Sequence, residues 1–205
     1  MKKKIAILDI GYGNIASVIN AVDYLGFEQK VEKDPNNIKN YTHLIIPGVG
    51  SFLVNSEIIH KNKWVEEIKK AANKGVYIFG ICVGMQLMFT DGDEGGKTSK
   101  GLNFFSGNCK IFNNKKKLKL PHIGFNEVEH SNSKIWSGIP NKSSFYFVHS
   151  YRIKSTENKF KCGYTIYGEK FISFIEDNNI FASQFHPEKS HKVGLKLLKN
   201  FLSLK

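Results

Sequence analysis

Val76-Tyr-Ile-Phe-Gly-Ile-Cys82-Val-Gly-Met-Gln86 is an apolar run of strand length, bounded by Gly75 and Gly84. It reads as a buried strand over residues 76–81. Met85, Gln86, Leu87, Met88 and Phe89 follow at once and suit the first turns of a helix. Cys82 therefore falls in a tight strand-to-helix corner, with Gly80 and Gly84 two residues to either side. Glycines there remove the Cβ atoms that crowd a sharp turn. The layout is that of a nucleophile elbow with sulfur in place of oxygen. A thiol at such a corner points away from the sheet, and the helix N-terminus behind it favours the thiolate. The same letters also fit an inert Cys packed in a glycine-flanked core strand, since free Cys is among the most buried residue types.

Working outward, residues 4–10 read as a first strand, ending in the loop Asp9-Ile-Gly-Tyr-Gly-Asn14. Ile15, Val18, Ile19, Val22 and Leu25 recur at helical spacing, and Gly26 closes that helix. Residues 27–32 form a second strand, stopped by Asp34-Pro35. Residues 43–46 form a third, which runs into Pro47-Gly-Val-Gly50. Helices follow over 54–60 and 63–74. This rhythm is that of an α/β fold: an open, mostly parallel central sheet with flanking helices.

After the acidic, Gly-rich stretch 91–96, expected to be a loop, the pattern changes to short alternating runs. They fall over 109–112, 119–123, 125–130, 144–149, 162–167, 171–176 and 180–185. These predict strands joined by tight turns, extending the sheet in antiparallel fashion. Val193, Leu197, Leu198, Phe201 and Leu202 mark a closing amphipathic helix. No internal repeat or linker interrupts the pattern, and one domain over 1–205 is expected.

Composition excludes several classes of function. A length of 205 residues with 41% hydrophobic and 13% aromatic content supports one sizeable core. No apolar run reaches the eighteen or so residues of a membrane span. Cys82, Cys109 and Cys162 are scattered, offering neither a disulfide framework nor a Cys-x-x-Cys metal pair, which points to a reducing cytoplasm and to no metal or cofactor. The net charge of +12 raises the question of nucleic acid. Against it, Arg152 is the sole arginine, and base and phosphate recognition draws on arginine forks. The lysines are spread along the chain, with one local cluster at Lys115-Lys-Lys-Leu-Lys119.

A Cys nucleophile needs a base within hydrogen-bond reach and a group that orients the base. His186-Pro-Glu188 follows directly on the strand expected over 180–185. In an extended segment, residues two apart project on the same side, so the imidazole of His186 and the carboxylate of Glu188 can meet. Pro187 stiffens the segment. Taken alone, a His before a Pro is more often structural than catalytic. An oxyanion hole for acyl transfer could use the N–H of Val83 and the loop Gly48-Val49-Gly50, whose glycines let backbone approach a ligand. Taken alone, that loop is also a simple turn.

Together these pieces resemble a class I (triad-type) glutamine amidotransferase. Further stretches fall in the family order: Asp9-Ile-Gly-Tyr-Gly-Asn14 with Ser17-Val18, Pro47-Gly-Val-Gly50, Glu94-Gly-Gly96, Pro121-His-Ile-Gly-Phe-Asn126, Tyr146-Phe-Val-His-Ser-Tyr151 and Gln184-Phe-His-Pro-Glu-Lys-Ser190. Over essentially the whole chain they are similar to the glutaminase subunits of imidazole glycerol phosphate synthases, of the histidine pathway. The resemblance implies Cys82 as nucleophile, His186 as general base and acid, and Glu188 as its orienter. It implies glutamine recognition by Gln86 and Glu94, with His149, Ser150 and Tyr151 lining the pocket. Gly48, Val49 and Gly50 would rearrange to complete the oxyanion hole. It also implies a (β/α)8-barrel cyclase subunit as heterodimer partner and recipient of the ammonia, since these residues contain no synthase domain. Asn14, Pro121, Phe125, Asn126 and Arg152 fall in segments expected to face that partner.

Phe125, where the family favours Trp, Arg152, where it favours Tyr, and Val83, where it favours Leu, depart from the pattern. Phe125 and Arg152 bear on which synthase is served. A paralogous glutaminase feeding a synthase that modifies a surface-polysaccharide sugar shares the other motifs. A catalytically silent assembly subunit and a peptidase-like hydrolase of the same broad fold are readings of other classes. The intact Cys82, His186 and Glu188 speak against the first, and Gln86 and Glu94 beside the Val-His-Ser-Tyr segment against the second.

Overall fold

The computed structural model describes residues 3–11, 14–113 and 118–205. Tyr12 and Gly13 of the first loop, and Lys115, Lys116 and Lys117 of the lysine cluster, lie outside the described residues. The chain opens with β1 (Ile5–Leu8), α1 (Ile15–Tyr24), β2 (Gln29–Glu32), β3 (His43–Gly48), α2 (Phe52–Lys61), α3 (Trp64–Asn73), β4 (Tyr77–Cys82) and α4 (Val83–Gln86). It continues with β5 (Phe89–Glu94), β6 (Lys97–Lys100), β7 (Phe105–Ile111), β8 (His122–Val128), β9 (Ser143–His149) and β10 (Tyr151–Ile153). β11 (Lys161–Tyr167), β12 (Glu169–Asp177), β13 (Ile180–Ser183) and α5 (His191–Leu202) complete it.

The strands run β2-β1-β3-β4-β13-β12-β10-β7-β5-β6, with β11 paired to β12. From β2 to β13 every pairing is parallel, as the βα rhythm of the sequence predicts. The central strands are apolar on both faces because helices cover both: Ile45, Ile46, Ile78, Phe79 and Ile81 are all buried. Beyond β13 the sheet turns antiparallel through β12, β10 and β7, and β5 then joins β7 in parallel. β8 and β9 form a separate antiparallel pair. One continuous apolar cluster reaches from Ile5 to Leu202, including Trp64, Phe79 and Phe201.

Three expectations need correction. The helix after Cys82 is a single turn, and Phe89 opens a strand, because the Leu87, Met88 and Phe89 carbonyls accept from the returning segment Leu102, Asn103 and Phe104. The acidic stretch 91–96 is mostly β5, paired with β6 across a turn at Gly95 and Gly96, both at positive φ. The runs expected over 119–123 and 125–130 meet in one strand, β8, over 122–128, whose partner β9 lies outside the main sheet. A polar or glycine-bearing strand has no apolar run to announce it, and its pairing is decided by a neighbour distant in sequence.

Candidate active site

The register of the parallel strands assembles the site. β4 pairs with β3 so that Gly48 lies opposite Cys82, and with β13 so that Ser183 lies opposite Ile81. Three consecutive parallel strands thus end together, and the loops that leave them carry Gly48–Gly50, Cys82 and His186. Carboxyl ends of parallel strands are the usual seat of chemistry in such sheets.

Cys82 has φ 57° and ψ −109°, a conformation costing a non-glycine residue on the order of 1–3 kcal/mol. Packing around the corner enforces it. A Cβ on Gly84 would overlap the Ile46 carbonyl, and one on Gly48 would sit 2.6 Å from the Gly84 nitrogen. β3 therefore presses directly on the turn after Cys82. As the first residue of α4, Val83 has no acceptor for its N–H within the helix.

His186 continues the line of β13, and its Nδ1 lies 2.8 Å from Glu188 Oε1. Both side chains are almost wholly buried. Burial is the largest influence on the imidazole and favours its neutral form. A Cys82 thiolate and the Glu188 carboxylate together outweigh it, and the proton on His186 is held above the ordinary imidazole range. Its Nε2 is buried with no hydrogen-bond partner of ordinary geometry among the described residues, and is left for Cys82 and for substrate. Cys82 also approaches the Val148 carbonyl at 4.0 Å and receives Gln184 Nε2 at 3.7 Å.

The residues expected to hold glutamine gather around the same point. Gln86 Nε2 donates to the Tyr151 carbonyl at 3.2 Å and to Gln184 Oε1 at 3.0 Å. His149 Nδ1 donates to the Tyr151 carbonyl at 2.7 Å, and the Ser150 carbonyl accepts from Phe112 N–H at 3.2 Å. The Glu94 carboxylate accepts from Phe52 N–H at the start of α2, and the Tyr151 phenol lies near Glu94 and the Gly95 backbone. The Val49 carbonyl is held by Asn55 Nδ2 at 3.1 Å, and Gly50 has φ +80°.

The residues expected to face a partner divide. Asn14 and Pro121 are exposed, and Phe125 is 50% exposed, its ring stacked on His191. Asn126 spends its amide inside the chain, donating to the Ile166 carbonyl and accepting from Glu127 N–H. Arg152 is a correction: its guanidinium is buried, bonded to Glu169 at 2.6 Å and 3.0 Å and to the Lys110 carbonyl. Alternation along β10 turns it inward, so its departure from the family pattern is an internal ion pair. Sequence reasoning quoted Gln184 and Ser190 only as part of a motif, without a role, and did not mention Asn55. Ser190 Oγ accepts from Tyr146 N–H at 2.9 Å and donates to the His186 carbonyl at 2.6 Å, tying β9 to the segment that carries His186 and Glu188. Gln184 stands two residues before His186, and that spacing was the available signal.

The family model for class-I glutamine amidotransferases matches residues 6–204. The chain belongs to the class-I glutamine amidotransferases. It is 43% identical over 198 residues to the imidazole glycerol phosphate synthase subunit HisH of Caldanaerobacter subterraneus subsp. tengcongensis, covering 96% of each chain. It is 40% identical to the HisH subunit of Moorella thermoacetica, covering 97% of this chain and 94% of that one. A HisH 1 subunit of Campylobacter jejuni is also 40% identical, over 98% of this chain and all of its own. These relatives place the amidotransferase in the HisH family. Among solved structures, one described as a glutamine amidotransferase superposes with a TM-score of 0.76 at 17% identity, covering 97% and 96% of the two chains. PurLQS from Thermotoga maritima gives 0.75 at 18% identity, covering 98% of each. At such identities the structures establish the fold alone.

Proposed function

We propose that the chain is the glutaminase subunit of an imidazole glycerol phosphate synthase, acting in the cytoplasm in histidine biosynthesis. The observation that carries this reading is the convergence of Cys82, His186 and Glu188 at the ends of two neighbouring parallel strands. The Cys82 sulfur adds to the side-chain carbonyl of glutamine. The C–N bond breaks as His186, oriented by Glu188, gives its proton to the departing ammonia. Water then adds to the γ-glutamyl thioester with His186 as base, the C–S bond breaks, and glutamate leaves. Val83 N–H and the Gly48–Gly50 backbone receive the oxyanion. Gln86, Glu94 and the backbone at His149, Ser150 and Tyr151 hold the amino acid.

Ammonia escaping to water would take up a proton and lose its nucleophilicity, so its consumer must dock over the site. That consumer is a (β/α)8-barrel cyclase in a heterodimer. The exposed faces of Ile123 and Phe125 on β8 supply apolar surface for it. Arg152 has no part in that choice of partner, since its guanidinium is buried. An acid quench during turnover followed by peptide mass analysis tests the reading. A γ-glutamyl adduct is expected on Cys82. An adduct on Cys109 or Cys162, or none during active turnover, would overturn it.

A further inference from the structure

Gln184 is fully buried, and its amide has one possible orientation. Its Oε1 accepts from Gln86 Nε2 at 3.0 Å, which leaves its NH2 facing Cys82 Sγ at 3.7 Å. Turning the amide over would set two NH2 groups against each other and a carbonyl against the sulfur. Gln86 cannot turn over either, because its NH2 also donates to the Tyr151 carbonyl.

That carbonyl can only accept, so His149 carries its proton on Nδ1. His149 Nε2 is then an acceptor, and His122 Nδ1 must donate to it at 3.1 Å. His122 Nε2 is left as an acceptor facing Asn126 Nδ2 at 3.5 Å. Burial keeps both rings neutral, holding His149 down to about 3 and His122 to about 4. Every donor and acceptor along this line is thereby fixed, from the β8–β9 pair to the sulfur.

We propose that Gln184 is a fourth catalytic group, a neutral hydrogen-bond donor to the Cys82 thiolate, with Gln86, His149 and His122 as the positioning residues that aim it. The inference rests on Cys82 being the nucleophile. His186 cannot serve the sulfur alone, because it surrenders its proton to ammonia and must recover one before the thiolate leaves the thioester. A donor that does not titrate stabilises the thiolate in the free enzyme and again as the leaving group. Hydrogen bonds to charged groups are about twice as strong as neutral ones.

The test is alkylation of Cys82 by iodoacetamide as a function of pH, located by peptide mass analysis, alongside glutamate release by the complex with the cyclase. For Gln184→Leu the alkylation profile is expected to move to higher pH, with kcat down about tenfold, KM nearly unchanged and more glutamyl adduct at steady state. Gln184→Glu keeps the shape and the bond to Gln86 but sets an acceptor against the sulfur, so its profile is expected to move further than that of Gln184→Leu. A merely structural role predicts the opposite order, because Glu preserves the packing better. A folded Gln184→Leu with an unchanged profile and kcat overturns the proposal. Should that variant fail to fold, Gln86→Met leaves Gln184 in place but frees its Oε1. A smaller shift in the same direction is then expected, and an unshifted profile overturns the proposal. Alkylation needs no glutamine, so the result stays distinct from a failure of the glutaminase reading.

Discussion

The parallel strands and the β8–β9 pair meet at Cys82 on different terms. β3, β4 and β13 are covered on both faces, and the corner they form admits no added atom at Gly48 or Gly84. β8 and β9 bury one face, with His122, Phe145, Phe147 and His149, and leave the other open, with Ile123 60% and Phe125 50% exposed. The first region holds Cys82 and His186, the proposed nucleophile and base, by close packing of backbone on backbone. The second touches the His186 segment through the Tyr146–His186 bridge and Ser190, and leaves apolar surface outward. On the proposed reading the chemistry belongs to the tightly packed part and the docking to the part with a free face.

The comparison breaks most sharply at the nucleophile. Cys82→Ala is expected to lower glutamate release by at least about a thousandfold while leaving the fold and partner binding intact. His186→Ala follows closely, and Glu188→Ala costs less, because an orienter contributes less than the base it orients. Steady-state kinetics of the three variants give the order, and a Glu188 loss equal to that of His186 would contradict it.

Next comes rigidity. Gly84→Ala drives a Cβ into the Ile46 carbonyl and is expected to destabilise by about 3 kcal/mol or more, a drop of roughly 6–12 °C in Tm. Phe125→Ala, on the open face, should leave Tm within about 2 °C and weaken partner binding instead, read by calorimetry. Equal thermal losses would erase the distinction between the regions.

The smallest effect concerns acid. His43 is buried against Tyr77 and Phe201, and burial holds it down to about 4 from an ordinary 6.5. The unfolded chain gains this proton as pH falls through 6.5, and the folded one does not until about 4. His43 therefore costs stability progressively as pH drops across that window. His43→Phe should flatten the fall of Tm between pH 6.5 and 4.5, and an unchanged slope would contradict its burial as a neutral ring.

Much of the rigid region was legible in sequence, because its signals are local. Residues 76–81 form an apolar run, Gly80, Cys82 and Gly84 mark the corner, and His186-Pro-Glu188 lie within one turn of chain. The polar relay was not legible. Gln184 meets Cys82 across 102 positions and His122 meets His149 across 27; standing two residues before His186 brings Gln184 to that strand end, but it does not announce the contact with the sulfur. Arg152 failed for a related reason: its inward direction is set by β10 pairing with β7 and β12, not by its neighbours in the chain.

Glutamate release by the purified chain, alone and then with the (β/α)8-barrel cyclase and that cyclase's nucleotide ligand, tests the account most directly. A poor glutaminase that docking stimulates strongly is the predicted result, with the Gly48–Gly50 loop completing the oxyanion hole only in the complex. Full activity in the free chain, or no response to a well-folded cyclase, would contradict it.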